Sequence, residues 1–125
     1  MLPSRHRLRD GRDFRTAVRG MRSTTSTLVV HAACPPSRAG KPARVGFAVS
    51  RAVGNAVVRN RTKRRLRAAM AGVVPTLPQG TDMVIRANPR AADASGGELA
   101  VQLTSALERL ERRRSAAYRT SSGAS

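Results

Sequence analysis

A chain of 125 residues with 24 Lys and Arg against 7 Asp and Glu carries a net charge of +17. That length suits one domain, and that charge repels itself unless a polyanion relieves it. Hydrophobic residues at 40% exclude a fully disordered chain, and a single cysteine, Cys34, excludes an intramolecular disulfide.

From the N-terminus, residues 1–9 form a basic arm with Pro3, read as extended. Asp10 can cap a helix to about Arg19, with Phe14, Ala17 and Val18 on one face. Ser23 to Ala33 is rich in Thr and Val and reads as one strand, ended by Pro35-Pro36. Cys34 to Pro42 reads as an exposed loop. Ala43 to Ser50 alternates: Val45, Phe47 and Val49 face one way, and Gly46, Ala48 and Ser50 the other. A sheet face of small residues lets a ligand come close.

Asn55 is a good cap for a helix to about Ala71. Val58, Thr62, Leu66, Ala69 and Val73 form its narrow apolar stripe, and basic residues cover most of the rest. Asp82 to Ala87 reads as a short strand. Ser95 can cap a last helix to about Arg113, with Leu99, Leu103, Ala106, Leu107 and Leu110 inward. The expected organisation is a single domain over 1–113 and a disordered tail over 114–125. The expected fold class is α+β, a single sheet flanked by helices, in the order α-β-β-α-β-α.

Charge placement is the functional signal. No acid occurs between Asp13 and Asp82, while seven Arg and Lys lie between Arg51 and Arg67. Arg59, Lys63 and Arg67 make a like-charge row at i,i+4, as do Arg61 and Arg65. Such rows destabilise a free helix, and a merely solvated face mixes signs. Arg also pairs well with phosphate oxygens, so RNA is the expected partner. A helix-turn-helix on DNA needs a helix where Ala43 to Ser50 reads as a strand. Membrane binding needs bulkier apolar residues opposite the charges. No apolar run approaches the ~20 residues of a membrane span, and no apolar stretch follows the basic N-terminus as in a signal peptide. A cytoplasmic protein without membrane contact or small-molecule substrate is expected. Nothing places His6 and His31 together as a catalytic pair, and no metal cluster, nucleophile elbow or glycine-rich phosphate loop occurs. No catalytic residue and no protein metal ligand are expected.

The run RVGFAVSRAVGNAVVRNRTKRRLR, Arg44 to Arg67, closely resembles the signature of the bacterial ribonuclease P protein subunit. The match includes Val45-Gly46-Phe47, Val49-Ser50, Gly54-Asn55-Ala56-Val57, Arg59-Asn60-Arg61 and Lys63-Arg64. Weaker resemblance runs from about residue 5 to 113. It implies a ribosomal protein S5 domain 2-like fold with a left-handed β-α-β crossover. It further implies that the catalytic RNA of ribonuclease P and precursor tRNA are partners. The holoenzyme, an endoribonuclease, would remove the 5′ leader with Mg²⁺ held mainly by the RNA and substrate. The resemblance places the leader near Phe14, Val18, His31, Phe47, Arg59 and Asn60. It places the catalytic RNA at Arg51, Arg61, Lys63, Arg64, Arg65 and Arg67. Relatives often carry aromatics where Val18 and His31 stand, which implies a less aromatic cleft here. A ribosomal or ribosome-assembly protein is the second reading; it would share the charge but not the GNAV-RNR run.

Overall fold

The computed structural model describes residues 2–123, with side chains to residue 115. Its elements are α1 (Gly11–Val18), β1 (Met21–Thr24), β2 (Leu28–Ala33), β3 (Arg44–Val49), α2 (Ala56–Ala71), β4 (Asp82–Ala87) and α3 (Gly96–Gly123). One four-stranded sheet runs in the order β1-β2-β4-β3. β1–β2 and β2–β4 are antiparallel, and β3–β4 is parallel, joined through α2.

The α+β class holds, with one strand more than expected. The segment from Ser23 to Ala33 is two strands, because Thr25 closes a tight turn onto Leu28. The Thr25 N–H donates to the Leu28 carbonyl at 2.8 Å, and the Thr25 Oγ1 accepts from the Leu28 N–H at 3.0 Å. A threonine side chain here does work usually given to glycine or asparagine, so the break is hidden in a β-prone run. α3 also runs past the expected end at Arg113 to Gly123, since 114–122 hold no glycine or proline to stop it. Of the expected disordered tail over 114–125, residues 124 and 125 lie outside the described residues, as does Met1 of the arm.

The main core lies between one sheet face and the α2–α3 pair. Leu28, Val30, Val45, Met83 and Ile85 meet Leu66, Met70, Leu99, Leu103 and Ala106. The expected α2 stripe faces the core: Thr62 and Leu66 are buried with Met70, and Val58, Ala69 and Val73 pack partly buried beside them. On the other face α1 covers a smaller cluster of Leu8, Ala17 and Val84, with Phe14 and Ala48 packed against it.

The arm is not a free extension. Leu2 and Leu8 are buried, the Leu8 N–H donates to the Val45 carbonyl at 3.0 Å, and His6 Nδ1 bonds the Ala43 carbonyl at 2.7 Å. It lies along the outer edge of β3, bridging Arg7 to Val45 in parallel.

Candidate nucleic-acid interface

A cleft of about 520 Å³ opens where the arm, α1, β3 and α2 meet. Its basic lining is Arg7, Arg9, Lys63, Arg64 and Arg67, and no acid lines it. Its apolar wall includes Leu8, Phe14 and Phe47. The tip of the Phe14 ring abuts Gly46: a Cβ there would stand 2.3 Å from Phe14 Cζ and 2.7 Å from Cε2. The small-residue face of β3 is therefore filled by this ring. Gly46→Ala is expected to displace Phe14 and cost about 1–3 kcal/mol, as overpacking does. The double variant with Phe14→Ala should cost less than the sum of the two, as read in a urea double-mutant cycle.

A charge clamp sets α1 on the sheet. Asp82 at the start of β4 is fully buried. Arg44 of β3 holds it with two bonds, Nε to Oδ1 at 2.9 Å and Nη2 to Oδ2 at 2.7 Å. The same Nη2 lies 3.2 Å from Asp13 Oδ2 of α1. Hydrogen bonding to Asp82 raises the Arg44 pKa above its ordinary value, against the opposing effect of burial. Asp13 adjoins Phe14, so the clamp holds the helix turn that carries the ring.

α2 divides its basic residues between two flanks. Lys63, Arg64 and Arg67 line the cleft. Arg61 and Arg65 turn the other way, donating to the carbonyls of Ala92 at 3.2 Å and Ala94 at 2.7 Å. These carbonyls belong to the segment leading into α3. Arg59 and Asn60 are not among the cleft's lining residues; they lie one turn before Lys63 and Arg64. Arg51 is exposed in the turn after β3. The Asn55 cap is as expected, its side chain accepting from the Val58 N–H at 3.0 Å.

Phe47 sits on the opposite face of β3 from Phe14, partly buried against the main core, and reaches the cleft at the sheet's edge. Val18 is exposed on α1. His31 is 2% exposed, and neither ring nitrogen has a hydrogen-bond partner in good geometry among the described residues. Burial, then the charges of Arg86 and Arg22, hold the imidazole below its ordinary 6.5, against an opposite pull from the Val18 backbone. The unfolded chain then takes up a proton that the folded chain refuses, so stability should fall as pH drops below about 6.5. His31→Phe should flatten that slope in thermal unfolding curves taken from pH 7.5 to 5.

The missed residues are those of the arm and clamp: Leu2, Arg7, Leu8, Arg9, Arg44, Asp13 and Asp82. The available signal was two leucines in a basic arm and an acid opening the apolar run Met83-Val84-Ile85.

Among the described residues, no three His, Cys, Asp or Glu side chains come together as a metal site. No helix there is long and apolar enough to cross a membrane.

The chain matches the family model described as Ribonuclease P over residues 2–111. It is 53% identical to the ribonuclease P protein component of a Nocardioides species over 111 residues, 88% of this chain and 95% of that protein. It is 50% identical to that of Streptomyces avermitilis over 117 residues, with the same coverage of each. Its fold resembles a Staphylococcus aureus RNase P protein mutant with defective mRNA degradation activity, with TM-score 0.74 and 25% identity over 85% of this chain and 88% of that one. It also resembles the RNase P protein of Thermotoga maritima, with TM-score 0.69 and 26% identity over 84% and 97%.

Proposed function

The chain belongs to the ribonuclease P protein component family, and from that membership we propose that it binds the catalytic RNA of ribonuclease P and the 5′ leader of precursor tRNA. It thereby assists removal of the leader. The observation that carries this reading is the cleft at the β3 edge, where five basic side chains and Phe14 face a space with no acid in its lining. Basic groups there take phosphates at the release of condensed counterions, and an aromatic ring offers a face to a base.

The leader is assigned to Phe14, Val18 and Phe47, with Arg59 and Asn60 one turn along α2 from the cleft; His31, buried at 2% exposure, is set aside as a contact. The catalytic RNA is assigned to Arg51, Arg61, Lys63, Arg64, Arg65 and Arg67. Arg61 and Arg65 each spend one donor on a backbone carbonyl, and a guanidinium has five, so both still present charge outward.

The protein's own residues do not fit a Mg²⁺ site near the cleft: Asp13 and Asp82 are both turned to Arg44. Mg²⁺ is therefore assigned to the RNA and substrate, where it would supply the chemistry of phosphodiester hydrolysis. The part of this chain is to bind, orient and neutralise. The test is cleavage of precursor tRNA by catalytic RNA at low Mg²⁺, with and without the protein. Stimulated cleavage at the mature 5′ end is expected, and its absence overturns the reading.

A further inference from the structure

The outer edge of β1 lies across the sheet from the cleft. Three strand spacings separate the two edges, about 14 Å. An edge strand exposes backbone groups that proteins generally cover, and here α3 covers them with a ladder. Ser26 Oγ donates to Gln102 Oε1 at 3.4 Å, Arg109 Nη1 donates to the Thr24 carbonyl at 3.1 Å, and Arg113 Nη1 donates to the Arg22 carbonyl. Arg109 and Arg113 are four residues apart on a helix, about 6 Å. Arg22 and Thr24 are two apart on a strand, about 6.8 Å. The two periods match closely enough for successive helix turns to meet successive outward carbonyls.

Gln102 meets only the Ser26 hydroxyl in the turn after β1. Both rungs on the strand carbonyls are Arg, in a chain already at +17. Each keeps donors beyond the one it uses. Neither makes an ion pair among the described residues. The acids of this stretch of α3, Glu108 and Glu111, line an apolar groove with Met21, Leu107 and Leu110, and Glu111 pairs with Arg114 at 3.6 Å. Glu108, Glu111 and Arg114 thus lie at the groove, while Arg109 and Arg113 turn to β1. Arg22 is exposed on the other sheet face, beside His31.

We infer that Arg109 and Arg113 form a second phosphate-backbone site for RNA at the β1 edge, separate from the cleft. The β1 carbonyls hold both guanidiniums in place before any RNA arrives, which lowers the ordering cost of binding. The inference stands on the ladder and does not depend on which RNA the cleft takes.

The test is equilibrium binding of the full chain across a salt series, with catalytic RNA and precursor tRNA as separate probes. Replacing both arginines, R109Q with R113Q, should make the slope of log K against log salt shallower by about 1.4–1.8 for at least one probe, two lost phosphate contacts. The probe affected identifies the source of the backbone. The double lysine variant, R109K with R113K, should keep the wild-type slope. An unchanged slope with both probes in the glutamine variant overturns the inference, as does an equal loss in the lysine variant. Should the glutamine variant fail to fold, an iron chelate tethered at R112C in a C34S background decides. Strand scission of bound RNA is expected, and its absence overturns the site.

Discussion

Arg44→Ala is expected to destabilise the protein by roughly 3–5 kcal/mol, because it leaves a buried carboxylate unpaired. Asp82 is 0% exposed, and its one close partner pair comes from Arg44. Arg38 Nε, at 3.9 Å from Oδ1, is too distant to replace both bonds. A domain of this size holds only about 5–15 kcal/mol in all, so the variant should sit near the edge of folding. Removing both charges, with Arg44→Met and Asp82→Leu, should recover much of the loss, since a buried ion pair is often matched by apolar residues of similar volume. Urea midpoints at constant slope read both effects. The double variant also frees Asp13, so α1 should loosen even where stability returns. Weaker binding of leader-bearing substrate at recovered stability would separate the clamp's positioning role from its contribution to folding.

The second large effect is expected from the cleft-facing side of α2. Replacing Lys63, Arg64 and Arg67 together with Gln should make the salt dependence of catalytic-RNA binding shallower by about 2–3, from three lost phosphate contacts. Folding should be unharmed or slightly improved, because the substitutions relieve like-charge repulsion. Arg65→Ala should behave differently despite its adjacency to Arg64. It leaves the Ala94 carbonyl without its 2.7 Å donor, so stability should fall by about 1–3 kcal/mol. Salt-dependent RNA binding and thermal unfolding, measured on the same preparations, distinguish the two classes.

The features readable from sequence were those encoded locally. Asn55 caps α2, Thr62 and Leu66 are buried with Val58 packed beside them, and β3 sends Val45, Phe47 and Val49 to the main core and Ala48 to the other face. Each depends on neighbours within a turn or two. What escaped depends on partners far along the chain. Arg44 finds Asp82 across 38 positions, and His6 finds Ala43 across 37. Nothing in the spacing of either residue announces its mate. The basic face of α2 was equally plain as a face, but its division was not, because adjacent arginines point to different flanks. Gly46 looked like room for a ligand, and only tertiary packing could reveal Phe14 already there. The β1–β2 turn was obscured by Thr25, which reads as strand but closes a turn with its hydroxyl.

The docked arm has a further consequence. Leu2, Arg7, Leu8 and Arg9 form one wall of the cleft, anchored by two buried leucines and the bonds of Leu8 and His6 to β3 and its lead-in. A terminal segment with so few anchors opens at a free energy below that of global unfolding. The cleft is then complete only in the fraction of molecules whose arm is seated. Any RNA that needs that wall binds with its intrinsic affinity reduced by that fraction. Residues that never touch RNA, such as His6 at the Ala43 carbonyl, would thus tune affinity by setting how often the site exists.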